Sequence, residues 1–384
     1  MGIIVGIDAS RNRSGGAKAH LVGILAEADP KAYDIDKVHV WCYEALAQSL
    51  PSKPWLVTHS PSVLNRSIIH QMWWQFGSLS AEVRRHKCDI LLNTDAGTVN
   101  FFSPCVVMSR DMLSFEGGEI DRFGFSKARF RLFLLRYIQI ASLRRASGAI
   151  FLTSYAAKVI KKFTGKLKRV AIVPHGVGRN FNQNTQGGEW ELGDGPIRCL
   201  YVSNASMYKH QWHVIRAISI LRKKGYDLQL LLAGAGEGIA KERVTDEIKL
   251  SDPDSTFVSI TPIVIHDKVP ELLKSSNLFI FASSCENMPN TLVEAMASGL
   301  PIACSNRGPM PEVLGEAGIY FDPESPESIA NAVKNILDNK ELRLQKAAMA
   351  KQLSKQYSWK RCANETMAYL NLVYRNTVLK KTYK

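Results

Sequence analysis

One stretch constrains this chain more than any other: Asn277 to Pro301, NLFIFASSCENMPNTLVEAMASGLP. Its first six residues form a short apolar run of strand length, the pattern of a strand buried in a parallel sheet. Pro289 cannot sit inside a helix, so the following helix must begin at about Asn290, a good N-cap residue. Thr291 to Ser298 continue it, and Gly299-Leu300-Pro301 stops it. That order places Glu286 on the strand-to-helix loop and Glu294 on the first turns of the helix. Free N–H groups at the helix start, at the positive end of its dipole, favour an anion. Two carboxylates flanking such a start suit a ligand with hydroxyls at both ends and phosphates in the middle.

The rest of the chain repeats the same alternation. Strands are predicted at Gly2 to Ile7, Val38 to Trp41, Trp55 to Thr58, Ile90 to Asn93, Cys105 to Met108, Ala149 to Leu152 and Val170 to Val173. Further strands follow at Ile197 to Val202, Leu228 to Ala233, Thr256 to Thr261, Ile302 to Ser305 and Ile319 to Phe321. Helices are predicted at Ala17 to Ala26, Ser67 to His86, Ser126 to Ala146, Trp212 to Lys223, within Ser325 to Gln356, and at Trp359 to Thr377. This βα alternation indicates an α/β fold with parallel sheets covered on both faces. A length of 384 residues calls for two domains. The polar, Gly-rich segment from Asn182 to Pro196 is predicted to link them. The expected division is 1–182, a linker at 183–196, and 197–359, with the last helix, 360–384, joining the first domain.

With its preceding strand, its Pro-started helix and its Gly-x-Pro exit, the pair Glu286 and Glu294, seven residues between them, resembles the signature of retaining GT-B glycosyltransferases of family 4. The resemblance covers nearly the whole chain and is strongest from Ile197 to Pro323. It implies a GT-B fold, two Rossmann-like βαβ domains with parallel sheets facing a central cleft. It implies that Glu294 binds the ribose of a nucleoside-diphosphate sugar, and that Glu286 with the amides of Asn287 and Met288 holds the sugar. It places the diphosphate at the helix start, at Asn290, Thr291 and Leu292. Lys209 in the loop Ser203 to Gln211 matches a lysine that contacts the diphosphate. Asn204 stands near the place of an arginine the family carries there. Gly15 and Gly16, in DASRNRSGG, resemble the glycine loop that faces the donor phosphates.

Where the family commonly has a His-Asp pair, this chain has Arg110-Asp111. An arginine there suits a phosphate or an acidic acceptor; a salt bridge to Asp111 or Glu116 is the plain alternative. Pro174-His175-Gly176-Val177 resembles the family's Pro-Asn-Gly-Val turn, with His175 either an acid–base group or a turn residue. Glu286, Lys209 and Arg110 are thus the expected catalytic residues, Glu286 positioning the sugar rather than attacking it. Lys209, the helix start and Arg110 would answer the charge on the leaving diphosphate, so neither metal nor cofactor is expected. Asp34-Ile35-Asp36 and Asp252-Pro253-Asp254 have an Asp-x-Asp pattern but lie in polar connecting segments. Gly234-Ala235-Gly236-Glu237-Gly238 departs from the dinucleotide fingerprint at Ile239.

Charge and cysteines bear on location and partners. The net charge is +14. No Asp or Glu occurs from Arg122 to Gly188, a span with fourteen Lys and Arg. Within it, Ser126 to Arg145 sets Phe130, Phe133, Leu134, Tyr137, Ile138 and Ala141 at helical spacing among basic residues. The expectation is an apolar face in the core and basic residues towards anionic lipid headgroups. The seven cysteines are scattered, without a CxxC pair, and Cys285 is expected to be a buried thiol. The start, Met1 to Gly6, lacks the basic residues of a signal peptide, and no apolar run reaches membrane-span length. A cytosolic enzyme at the inner membrane face is expected, moving a hexosyl or N-acetylhexosaminyl unit to a lipid-linked glycan of O-antigen or capsule type. No nucleic-acid motif accompanies the charge. The rival readings are a polyanion-binding protein with a degenerate nucleotide site, and a nucleotide-sugar epimerase or hydrolase of the same fold.

Overall fold

The computed structural model describes residues 2–13, 15–182, 188–234, 236–261 and 264–382. The chain divides into two compact units, residues 1–176 with 358–384, and residues 177–357. They are called unit 1 and unit 2.

Unit 1 runs β1 Ile3–Asp8, α1 Gly15–Glu27, β2 Ile35–Trp41, α2 Glu44–Ala47, β3 Leu56–His59, α3 Ile68–Gly77, α4 Leu79–Arg85, β4 Ile90–Asn93, β5 Cys105–Ser109, α5 Lys127–Arg145, β6 Gly148–Phe151, α6 Ser154–Thr164 and β7 Val170–Ile172. Unit 2 follows with β8 Ile197–Val202, α7 Gln211–Lys223, β9 Leu228–Ala233, α8 Gly238–Ser251, β10 Val258–Thr261, α9 Val269–Lys274, β11 Leu278–Phe281, α10 Asn290–Ser298, β12 Ile302–Ser305, α11 Met310–Leu314, β13 Ile319–Phe321, α12 Pro326–Asp338 and α13 Lys340–Ser354. The last helix, α14 Trp359–Thr382, returns to unit 1 and packs on α1.

Both sheets are parallel and wound from the middle outwards. Unit 1 has the order β3-β2-β1-β4-β5-β6-β7, and unit 2 the order β10-β9-β8-β11-β12-β13. The winding reverses beside the first strand of each sheet, between β1 and β4 and between β8 and β11. There the loops leaving the strand ends diverge, which opens a ligand crevice in folds of this kind. β11 shows why the centre is stable: Leu278, Phe279, Ile280 and Phe281 are all fully buried. At roughly 1.5–3 kcal/mol per large apolar side chain, these four contribute roughly 6–12 kcal/mol before entropy is counted. Trimming Phe279 to alanine would cost about 3–5 kcal/mol.

Four predicted features come out differently. The single helix expected from Ser67 to His86 is two, α3 and α4, because the chain turns at Gly77-Ser78, where Ser78 has φ −105°. The segment 183–196 was expected to be a linker. Residues 183–187 lie outside the described residues, but Trp190 is buried under Arg343, whose guanidinium sits 3.6 Å from its ring centroid. Arg343 also donates to the carbonyls of Gly188 (2.8 Å) and Trp190 (2.5 Å), so this stretch is part of unit 2. Unit 2 itself begins at Val177, whose N–H donates to Tyr357 O at 3.0 Å.

The fourth difference is α5. Its buried side chains are Leu132, Gln139, Ser142 and Leu143. Phe130 (71 % exposed), Phe133, Leu134 and Tyr137 (56 %) lie outside the core. The sheet takes the narrow stripe through 132, 139 and 143, and that face is polar enough to bond neighbouring loops. Gln139 Oε1 accepts from Ser114 Oγ at 2.9 Å, and Ser142 Oγ donates to Ala96 O. The wider aromatic stripe is left to the surface.

Candidate functional site

Unit 2 gathers the expected residues at its switch point. The loop after β8 carries Asn204 and Lys209; the loop after β11 carries Glu286, Asn287 and Met288. The two loops are stitched together. Ser284 N–H donates to Tyr208 O (2.8 Å), Tyr201 Oη–H donates to Lys209 O (2.8 Å), and His210 Nε2 lies 2.9 Å from Ser284 Oγ. His210 adopts a left-handed φ of 48° at the entrance to α7, so the loop bends sharply and Lys209 turns back towards β11. Gly234, at φ +141°, lets β9 end against this loop: a Cβ there would lie 2.4 Å from Ser203 O.

Lys209 Nζ forms an ion pair with Glu286 Oε1, and both side chains are mostly buried. The ammonium also lies 5.4 Å from the Phe281 ring centroid, within cation–π range. α10 begins immediately after Pro289, whose side chain offers its first N–H groups no cap. Those orphan donors and the dipole are an anion-receptive end. Asn290, Thr291 and Leu292 form the first turn, with Asn290 Oδ1 buried and without a hydrogen bond. Gly299, at φ +79°, closes the helix.

Glu294 is 6 % exposed. Its Oε1 lies 2.8 Å from His266 Nε2, and its Oε2 is buried without a partner. The hydrogen bond to Glu294 raises the His266 pKa above the ordinary histidine value, against the opposing effect of burial. His266 itself leads out of the loop after β10, 5.5 Å from the Phe181 ring. Sequence reading missed it: 28 residues separate it from Glu294, and no local pattern marks a lone histidine as the partner of a distant carboxylate.

Arg110 belongs to unit 1, at the end of β5. Neither Asp111 nor Glu116 pairs with it: Asp111 Oδ1 accepts from Leu113 N–H (2.9 Å) and Glu116 Oε1 accepts from Tyr155 Oη–H (2.7 Å). Instead Arg110 Nη2 donates to Asn12 Oδ1 (2.7 Å), and its Nε and Nη1 are buried without partners. Asn12 Oδ1 also accepts from Thr94 Oγ1 (2.8 Å). Beside them Asp8 accepts from Ser10 Oγ (2.7 Å) and Gln75 Nε2 (2.6 Å). Burial raises the Asp8 pKa, with those hydrogen bonds working against it. Burial, with Arg110 nearby, pushes His175 down to about 3, and His20, 4.2 Å from the His175 ring, is also strongly lowered by burial. This network at the β1/β4 switch point was only partly visible in the sequence, since it joins Asp8 and Asn12, Gln75, Thr94 and Arg110 from four segments.

Gly15 and Gly16 stand in the first turn of α1, not in the loop before it, and a Cβ at Gly15 would meet nothing within 4 Å. Asn204 is exposed. Cys285, like the other six cysteines, is buried. Asp252 of the Asp-x-Asp pattern is spent on the chain itself, accepting from the N–H groups of Thr256, Phe257 and Val258 and from Thr256 Oγ1. Among the described residues, the group with metal-ligand geometry is His39, His59 and His86 in unit 1.

Comparison with known proteins places this arrangement. Residues 182–353 match the family model described as Glycosyl transferases group 1. Over 101 residues the chain is 31 % identical to O-antigen chain mannosyltransferase B of Escherichia coli, covering 26 % of each chain. Over 225 residues it is 26 % identical to 2-deoxystreptamine glucosyltransferase of Streptomyces kanamyceticus, covering 54 % of this chain and 55 % of that one. The chain thus spans about a quarter to about half of the length of these curated relatives. Among solved structures, sucrose-phosphate synthase from Thermosynechococcus elongatus superimposes with a TM-score of 0.76 at 14 % identity, over 98 % of this chain and 100 % of that one. Anabaena HepE, in complex with UDP and glucose, gives 0.66 at 15 % identity over 100 % of both. The fold is that of the GT-B glycosyltransferases.

Proposed function

We propose, from a chain of GT-B fold whose residues 182–353 form a group 1 glycosyl transferase domain, that the protein transfers a hexosyl or N-acetylhexosaminyl unit from a nucleoside-diphosphate sugar to a glycan acceptor, with retention at the anomeric carbon. The observation that carries this reading is the unit 2 switch point. There a lysine, a carboxylate and an uncapped helix start converge beside a buried carboxylate with one unpartnered oxygen. Glu294 accepts from the ribose hydroxyls. The first turn of α10 and Lys209 hold the diphosphate. Glu286 orients the sugar and keeps Lys209 in place. As the sugar–phosphate bond breaks, charge accumulates on the diphosphate, and donors already in position stabilise it without reorganising. This route asks for no metal. Arg110, with two unpartnered N–H groups, supplies a further cation for a phosphate or an acidic acceptor.

The acceptor we propose is lipid-linked, as in O-antigen or capsule assembly, reached by a cytosolic enzyme docked on the inner face of the membrane. No described helix is long and apolar enough to cross a membrane. Support for docking comes from the exposed stripe of α5 and the basic residues of the span 122–188. Trp73, Phe76 and Phe101 add to it, the last with Arg145 stacked 4.2 Å from its centroid. Aromatic rings and basic residues are the side chains that settle at a headgroup boundary.

Thermal shift with UDP, GDP, ADP and CMP on the wild type and on Glu294→Ala tests the donor site. One nucleotide is expected to stabilise the wild type, by about 2.7 kcal/mol at a hundred times its Kd, and not the variant. Stabilisation of neither, or of both equally, overturns the assignment. The matching sugar nucleotides then go into hydrolysis and transfer assays, where a transferred glycan excludes an epimerase.

A further inference from the structure

We propose that His39, His59 and His86 form a binding site for a divalent metal ion of the zinc class (Zn2+, Co2+ or Ni2+) in unit 1. The fold brings them together from three places. β2 and β3 are parallel neighbours with Trp41 opposite His59 and His39 opposite Val57, so side chains 39, 41 and 59 share one face of the sheet. His86 caps the C-terminal end of α4, and Lys87, with φ 53°, turns the chain away immediately afterwards. The His86 ring is thereby left 4.3 Å from that of His59 and 5.0 Å from that of His39.

The distances fit one ion. Zinc binds imidazole at about 2.0–2.1 Å in tetrahedral geometry, which sets ligand nitrogens roughly 3.3 Å apart and ring centroids roughly 5 Å apart. The three centroid separations here are 4.3, 5.0 and 5.1 Å. One nitrogen from each ring lies within 4.8 Å of the others, and His39 Nδ1 is 2.8 Å from His59 Nε2. Opening that pair slightly and rotating His86, which is partly exposed, completes three ligands. Glu82 Oε2 lies 3.8 Å from His86 Nε2, where a carboxylate can orient a ligating histidine or take the fourth position in place of water. Trp41 stacks on His59 at 5.0 Å and walls the site on one side. Among the described residues no hydrogen bond, ion pair or ring contact joins the three histidines to the Asp8–Asn12–Arg110 network. An ion here would tie the edge strand β3 to α4, a structural rather than a catalytic role.

The test uses the full chain without a polyhistidine tag, stripped by chelator and titrated with Co2+, then with Zn2+. The expected result is one Co2+ per chain with the visible bands of a tetrahedral site, displacement by Zn2+, and a thermal midpoint that rises with metal. His59→Gln and His86→Gln are each expected to weaken binding a hundredfold or more while keeping the wild-type circular dichroism and metal-free midpoint. The proposal fails if the wild type shows no saturable one-to-one binding at micromolar metal. It also fails if the folded double variant binds as tightly as the wild type.

Discussion

Each unit holds an arginine with buried guanidinium nitrogens, and the two are handled in opposite ways. Arg343 of unit 2 is 2 % exposed and donates to four backbone carbonyls, those of Gly188, Trp190, Ile336 and Leu337. Arg110 of unit 1 makes one hydrogen bond, to Asn12, and leaves Nε and Nη1 without partners. An unpaired buried donor costs about 1–3 kcal/mol, a cost that the phosphate or acidic acceptor proposed for Arg110 would remove. The surfaces differ in the same direction. Among the described residues, the exposed large apolar side chains of unit 2 are Leu192, Ile239, Leu250, Ile260 and Ile265, all aliphatic. Those of unit 1 include Trp73, Phe76, Phe101, Phe125, Phe130, Phe133, Tyr137 and Phe163. The same winding gathers the polar residues of the candidate site in unit 2. In unit 1 it also leaves an aromatic and basic surface outside.

The largest expected effect tests the site of unit 2. Lys209→Met should lower turnover by roughly 10²–10³-fold, the range for losing one preorganised electrostatic donor. Its thermal midpoint should fall, since Glu286 loses its partner, but the variant should remain folded; a turnover loss under tenfold would remove Lys209 from the chemistry. The arginine pair comes next. Arg343→Ala should destabilise unit 2 by about 2–4 kcal/mol, since it strands carbonyls and uncovers Trp190. Arg110→Ala should leave stability unchanged or raised while cutting turnover. Denaturant unfolding beside kinetics separates the two, and equal destabilisation by both would erase the contrast.

Acid should strike unit 1 harder. His20 and His175 have lowered folded values, that of His175 about 3, so below pH 6.5 the unfolded chain binds more protons and stability falls as pH falls. At pH 5 His175 costs roughly 2 kcal/mol, and His20 acts in the same direction. His266 works the other way: its raised value gives stability that is complete below pH 6.5 and is lost as pH rises through its folded pKa. The same proton should hold His266 against Glu294 and compete with a ribose. Nucleotide affinity measured by calorimetry should therefore rise with pH by a few-fold in the wild type and stay flat in His266→Gln. The smallest effect concerns the surface. Phe130→Ser with Tyr137→Ser should weaken sedimentation with anionic vesicles and leave the thermal midpoint within about 0.5 kcal/mol of wild type, as surface changes do.

The architecture was legible because its signals are local. Apolar runs such as LFIF, a proline before a helix and a glycine after it act within a few residues, so every strand of both sheets was found near its place. The unit 2 residues were legible for the same reason: Glu286, Asn290 and Glu294 share one short segment whose strand, loop and helix position them. Local pattern failed where the answer depended on what lies opposite. A helix with two apolar stripes, such as α5, does not say which stripe meets the sheet. His266 beside Glu294, Gln75 beside Asp8, and His39, His59 and His86 beside one another are joined by chain reversals of 20 to 67 residues. Sequence alone thus determined the elements, their order and the short signature. The tertiary structure decided partners, burial and therefore charge state, because those depend on groups that only the completed sheets bring within reach.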